Sequence, residues 1–232
     1  MNNSVVIMAG GKGKRLGIIT KILPKPLIPI GDIPIAERII NKFLQFNYTH
    51  FYITINFKKN LIKTYFNNIE KNYNIQYVEE EKPLGTAGSL YMLKNKIKSP
   101  FFVSNCDILI DGNYNEMMKF HIKNKNKITI IAAAKHFTLP YGVLKLDSHG
   151  LIKEMTEKPQ YNCLVNTGMY ILEPEILENI PRNEFFDITD LIKLYIDNGE
   201  PIGVFPIKEN AWLDMGQIEE MENMNNILNL QN

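Results

Sequence analysis

Val5-Val6-Ile7-Met8-Ala9 is an unbroken apolar run that stops at Gly10-Gly11. A β-branched run without polar alternation predicts a strand covered on both faces, as in a parallel sheet. Beyond a proline-rich stretch, Ala36, Ile39, Ile40, Phe43 and Leu44 recur at helical spacing, which predicts a helix with one buried stripe and Pro34 at or just before its first turn. The alternation continues with a strand at His50–Ile55, a helix through Leu61–Phe66, a strand at Ile75–Val78, a helix through Ser89–Lys94 and a strand at Phe101–Val103. Strands and helices in this rhythm mean βαβ units.

After residue 110 the rhythm changes. Met117–Lys123 reads as helix and Ile128–Ala134 as strand, and Tyr141–Leu146 and Leu151–Met155 flank Asp147-Ser148-His149-Gly150, a hairpin turn. Val165–Leu172 follows as strand, then helical patterns at Glu173–Asn179 and Ile188–Ile196, a strand at Ile202–Phe205 and a last helix from about Gln217 to Leu230. The expected fold is one continuous α/β domain. Its mixed, mostly parallel central sheet is flanked by helices, with an antiparallel insertion in the C-terminal half. The aromatic residues Phe43, Phe101, Phe102 and Tyr170 fall on strand or helix faces and are expected in the core.

Composition removes several function classes. With 26 basic and 25 acidic residues in 232, the net charge of +1 gives no pull toward nucleic acid or anionic lipid. Two cysteines make no disulfide framework, and Cys106, Cys163 and four scattered histidines make no zinc cluster. No apolar segment approaches the ~20 residues of a membrane span. The N-terminal Met-Asn-Asn-Ser lacks a basic region before its short apolar run. The expectation is a cytoplasmic protein.

Chemistry enters where the first strand ends. Gly10-Gly11-Lys12-Gly13-Lys14-Arg15 is a glycine-rich, basic turn whose backbone N–H groups can close on phosphate oxygens. It matches neither the Walker A spacing nor the dinucleotide fingerprint. Ten residues beyond Arg15, Lys25 stands between Pro24 and Pro26, which stiffen the loop and hold its charge in place. Asp107 follows an apolar strand, and Asp214 follows Trp212-Leu213. Carboxylates at strand ends lie where open parallel sheets bind ligands, and hard oxygen donors suit Mg²⁺ on phosphates.

These motifs, taken in order, resemble those of the sugar-1-phosphate nucleotidyltransferases. The resemblance runs through Gly10–Leu16, Pro24-Lys25-Pro26-Leu27, Leu84-Gly85-Thr86-Ala87-Gly88-Ser89, Asn105-Cys106-Asp107, Tyr141-Gly142-Val143, Glu157-Lys158-Pro159, Val165-Asn166-Thr167-Gly168 and Trp212–Gly216, nearly the whole chain. Lys14 replaces a small hydroxyl residue of the usual pattern, and Cys106 replaces a glycine. The resemblance implies a Rossmann-like fold of GT-A type and transfer of a nucleotidyl group from an NTP to a sugar 1-phosphate, giving an NDP-sugar for glycan biosynthesis and pyrophosphate. It implies a single domain over residues 1–232, with an NTP-binding half (1–110) and a sugar-phosphate-binding half (111–232).

By the same resemblance, Arg15, Lys25, Asp107 and Asp214 are catalytic, and Asp107 and Asp214 hold Mg²⁺. Ala9, Gly10, Gly11, Gly13, Lys14, Arg15, Gly85, Thr86 and Ala87 bind the NTP. Gly142, Glu157, Lys158 and Asn166 bind the sugar phosphate. Leu84–Gly88 looks more like the guanylyltransferases acting on mannose-, heptose- or glucosamine-type phosphates, which makes GTP the expected donor and leaves UTP, CTP and dTTP open. A catalytically inactive regulatory or scaffold relative would have lost Arg15, Lys25, Asp107 or Asp214, and all four stand. The expected partners are the two substrates, without nucleic acid or membrane; the sequence leaves a homo-oligomer open.

Overall fold

The structure, a computed structural model, describes residues 4–13, 17 and 19–214. Its first half runs β1 (Ser4–Met8), α1 (Ile19–Ile22), β2 (Pro29–Ile30), β3 (Ile33–Pro34), α2 (Ile35–Leu44), β4 (His50–Ile55), α3 (Lys59–Asn68), β5 (Asn74–Glu79) and β6 (Phe101–Asn105). Its second half runs β7 (Ile108–Ile110), α4 (Tyr114–Lys123), β8 (Ile128–Thr138), β9 (Val143–Leu146), β10 (Ile152–Thr156), β11 (Gln160–Leu172), α5 (Ile188–Asp197), β12 (Ile202–Ile207) and β13 (Trp212–Asp214).

Seven strands form one sheet in the order β12-β8-β11-β6-β1-β4-β5. β1 pairs parallel with β4 and β6, and β4 pairs parallel with β5. β11 is the antiparallel member, between β6 and β8, while β12 returns parallel to β8. The order β5-β4-β1-β6 reverses direction of progress at β1, and such a switch point leaves a crevice at the strands' carboxyl ends.

The continuous apolar run of β1 is explained by two cores, one on each face of the sheet. Val5 and Ile7 point to one side, with the apolar stripes of α2, α3 and α4. Val6 points to the other, with Leu90, Leu93 and the Leu191 stripe of α5. Phe43, Phe101, Phe102 and Tyr170 are all buried, and Phe43 meets Tyr48, Phe51, Phe102 and Tyr114 at ring-centroid distances of 4.5–6.3 Å.

The structure differs from the sequence pattern in five places. Gly88–Leu93 and Pro174–Asn179 are 3-10 turns rather than α-helices. Tyr141 and Gly142 precede β9 rather than belonging to it. β11 begins at Gln160, five residues earlier than its apolar stretch, because its polar first half pairs with the far end of β8 outside the core. The short pair β7–β13 was not anticipated. The last predicted helix, 217–230, lies outside the described residues. No helix among the described residues is long and apolar enough to cross a membrane.

Candidate functional site

Four strands deliver their carboxyl ends to one place. Met8, Gly10, Gly11 and Gly13 at the end of β1, Thr54 of β4, Glu80 after β5, and Asn105, Cys106 and Asp107 at the end of β6 line a cleft of about 400 Å³. Lys25 lines it too, as do Pro83–Thr86, Phe185 and Asp187. Lys12 is exposed, and Ala9 is buried beneath this rim, its N–H donating to the Thr54 carbonyl at 3.0 Å and to Thr54 Oγ1 at 3.2 Å. Lys14 and Arg15 lie outside the described residues.

Lys25 forms the floor. Pro24 caps a 3-10 turn over Lys25–Leu27 and leaves its carbonyl to accept from Leu27 N–H at 2.9 Å. Gly13, at φ +61°, packs on this turn: a Cβ there would lie 2.9 Å from Thr20 Cγ2 and 3.3 Å from Lys25 Cβ. With the backbone fixed, the Lys25 ammonium reaches Asp107 and forms an ion pair, both side chains only 11% exposed. Asp107 therefore has a basic partner 82 residues away in sequence.

The second aspartate arrives by sheet pairing. β13 runs antiparallel to β7 with Asp214 opposite Ile108, which puts Asp214 beside the residue that follows Asp107. Two carboxylates at adjoining positions are a donor set that fits a hard divalent cation bridging phosphates. Among the described residues no group of three His, Cys, Asp or Glu side chains gathers as a metal cluster. Cys106, next to Asp107, is buried, and burial together with the Asp107 charge pushes its thiol up to about 12, so it stays protonated and inert.

Gly85, Thr86 and Ala87 belong to a segment that docks on the loop before α5. Phe186 N–H donates to the Leu84 carbonyl, and the Phe186 carbonyl accepts from Ala87 and Gly88 N–H, each at 2.9 Å. Asp187 Oδ1 accepts from Thr86 N–H at 2.9 Å and from its hydroxyl at 3.0 Å. Both glycines are required by this approach: a Cβ on Gly85 would lie 2.6 Å from the Phe186 carbonyl oxygen, and one on Gly88 2.6 Å from that of Glu184.

Sequence reasoning missed Glu80. Its carboxylate is buried in the cleft wall beside Gly10, where a Cβ would lie 2.8 Å from Glu80 Oε1. Desolvation raises its pKa, opposed by hydrogen bonds from the Ser89 hydroxyl and the Leu84 N–H. A run of three glutamates reads as a solvated surface, and only the end of β5 turns the middle one inward. Phe185 and Asp187 lie far along the chain from Asp107, the last of the other lining residues, and carried no motif of their own.

The predicted sugar-side residues sit apart from this lining. Gly142 packs against Glu157, whose Oε2 would be 3.0 Å from a Cβ there. Glu157 and Lys158 are exposed after β10, Lys158 in the left-handed region at φ +45°. Asn166, at the bulge of β11, donates to Tyr170 Oη at 2.8 Å and accepts from Gly168 N–H at 3.0 Å. The link to the cleft is Gly168, packed so closely on Asn105 that a Cβ would lie 2.4 Å from its Nδ2.

Known proteins resemble this chain in sequence and in fold. The Bifunctional protein GlmU of Methanococcus maripaludis strain C7 is 33% identical over 95% of this chain and 53% of its own length. The mannose-1-phosphate guanyltransferase of Saccharomyces cerevisiae is 30% identical over 91% of this chain and 61% of its own. This chain thus spans little more than half the length of these relatives. The crystal structure of HddC from Yersinia pseudotuberculosis complexed with GMP-PN superposes with a TM-score of 0.76 at 22% identity, covering 97% of this chain and 99% of that one. A family model described as Nucleotidyl transferase matches residues 4–230, from the first strand of the sheet to past the second aspartate, and the chain belongs to that family.

Proposed function

We propose that this chain transfers a guanylyl group from GTP to a sugar 1-phosphate, releasing pyrophosphate and forming a GDP-sugar. A phosphate oxygen of the sugar phosphate attacks the α-phosphorus, and the bond from that phosphorus to the bridging oxygen of pyrophosphate breaks. Two anions must meet, so positioning and electrostatics carry the catalysis. The observation that supports this most is the cleft floor: a lysine and an aspartate, both nearly buried, at the switch point of a parallel sheet whose first turn is Gly10-Gly11-Lys12-Gly13. Lys25 stabilises charge at the reacting phosphorus, and Arg15 and Lys14 grip the triphosphate. The exposed group of Gly142, Glu157, Lys158 and Asn166 receives the sugar phosphate. Asp107 and Asp214 would hold Mg²⁺, which neutralises phosphate charge without proton transfer.

Glu80 supports guanine over other bases. An ionised carboxylate accepts hydrogen bonds and donates none. Guanine presents two adjacent donors, N1–H and its 2-amino group. Uracil and thymine present one N3–H between two carbonyl oxygens, and cytosine and adenine an amino group beside an acceptor nitrogen. Only guanine leaves no acceptor facing the carboxylate, and a mismatched buried edge is rejected by a large factor.

The test is pyrophosphate release from four NTPs against a panel of sugar 1-phosphates, with EDTA and Mg²⁺ controls. GTP is expected to lead in kcat/KM, with EDTA abolishing turnover and Mg²⁺ restoring it. Glu80→Gln should narrow the gap between GTP and UTP by about 10²-fold. Comparable or better turnover of UTP or CTP by the unmodified enzyme would overturn the guanine assignment.

A further inference from the structure

We propose that Asp187 is a positioning residue that clamps the Leu84–Gly88 segment, and so sets the affinity of the cleft for its nucleotide from the far half of the chain. The inference rests on the nucleotide reading of the cleft. Its basis is a hydrogen-bonded clasp between two segments about a hundred residues apart. On one side stand Gly85-Thr86-Ala87-Gly88, two glycines with no room for a Cβ. On the other stand Phe186 and Asp187.

The clasp closes in both directions. The Asp187 carboxylate takes the Thr86 amide and hydroxyl, while Thr86 Oγ1 accepts from Ile188 N–H at 2.9 Å. Thr86 is therefore held by the carboxylate and by the first amide of α5 together. Asp187 also starts α5 through a capping box with Asp190, whose Oδ2 accepts from Asp187 N–H at 3.3 Å. The carboxylate thus ties a helix anchored in the core by Ile188, Leu191 and Ile192 to a loop whose Thr86 is exposed. Without this acceptor, Thr86 has only the amide of Ile188, and Gly85, at φ +79°, provides no stiffness of its own. Phe185, 66% exposed at the cleft mouth, is carried by the same loop.

A loop ordered before the nucleotide arrives costs the nucleotide less to bind. The consequence is a separation of kinetic constants. Asp187→Ala should raise the KM for the NTP by about tenfold, since hydrogen bonds to a charged acceptor are lost, while the KM for the sugar phosphate stays within about threefold. Asp187→Asn should stay close to the unmodified enzyme, because an amide oxygen accepts the same two bonds. Asp190→Ala weakens the start of α5 without touching Thr86 and should leave the NTP KM within about twofold. Thr86→Val, which removes both bonds of the hydroxyl but keeps the Asp187–Asp190 capping box, serves if Asp187→Ala does not fold, and the double variant should be little worse than Asp187→Ala.

A second readout needs no turnover. Amide hydrogen exchange at residues 86–88 should accelerate at least tenfold in Asp187→Ala and not in Asp190→Ala. Exchange unchanged in Asp187→Ala would overturn the clamp whatever the activity. An Asp187→Asn variant as impaired as Asp187→Ala would overturn it differently, making the carboxylate a direct contact of the substrate. An unmodified enzyme that turns over no NTP would overturn the proposed function, and the exchange data would still decide on the clamp.

Discussion

Lys25 and Lys158 both stand next to prolines, yet the fold treats their surroundings in opposite ways. Lys25 lies in a floor built in advance: its turn is capped, Gly13 packs on it, and Asp107 fixes its ammonium at 11% exposure. Lys158 lies on an arm outside the core. There β9, β10 and the far ends of β8 and β11 are mostly exposed. Leu144, Leu146, Ile152 and Met155 on one face of the β9–β10 hairpin are each more than half exposed. A charge held by long-range packing can be aimed at a transition state, because its geometry costs nothing to assemble at the moment of reaction. A charge on an open arm is suited to binding, where adjustment is tolerated. Under the proposed function, the molecule separates the place where charge must be exact from the place where it need only attract.

The strongest way to break this comparison is Lys25→Ala. Pyrophosphate release should lose on the order of 10²–10³ in kcat with little change in sugar-phosphate KM. A variant that changes KM alone would put Lys25 on the same footing as Lys158.

The buried half also predicts a pH limit of its own. His121 is fully buried behind the sheet, its Nδ1 2.8 Å from Thr129 Oγ1, and burial lowers its pKa to about 4. Glu173 Oε1 lies 3.3 Å from Nε2, the one carboxylate facing the ring among the described contacts, and desolvation in turn raises the pKa of Glu173. The unfolded chain binds a proton on His121 below about pH 6.5, whereas the folded chain resists until about pH 4. More protons on the unfolded state mean that stability falls as pH falls through this window, by about 3 kcal/mol at its lower end. Urea denaturation at pH 7 and at pH 4.5 should show the loss, and His121→Gln should flatten it. A His121→Gln variant with the same pH slope would move the effect elsewhere.

The smallest effect is expected on the arm. Lys158→Ala should raise the sugar-phosphate KM about tenfold and leave kcat within a few-fold, because the phosphate it meets is present in ground and transition states alike. A kcat loss as large as that of Lys25→Ala would erase the distinction between floor and arm.

The sequence exposed most where a signal was local. β1, β4 and α2 were legible because burial on both faces, or along one stripe, leaves a periodic mark. The hairpin was legible because Asp147 and Gly150 are turn residues; Asp147 Oδ1 accepts from the amides of His149 and Leu151 at 2.8 and 2.9 Å. Lys25, Asp107 and Asp214 were found as separate residues, but not their relation. The ion pair of the first two depends on the end of β6 reaching the Pro24 turn, and the approach of the third depends on β13 pairing with β7. Gly85 was expected among the NTP-binding residues, but not the close approach of residues 184–186 that leaves neither Gly85 nor Gly88 room for a Cβ. Glu80 and Asp187 were missed because a lone carboxylate has no periodicity. Their meaning comes from what the sheet brings against them.

The pairing of β13 with β7 has a consequence for synthesis of the chain. Residues 4–105 contain β1, β4, β5 and β6, so the parallel half of the sheet can assemble while the rest is still being made. The clasp partner at 186–188 and the strand ending at Asp214 emerge only near the end of the described chain. A nascent chain passes through a stage in which the Gly10–Gly13 turn exists without the second carboxylate. Under the proposed function, the pair of carboxylates is complete only once residues 212–214 have been made, and translation itself sets the earliest moment at which the cleft is whole.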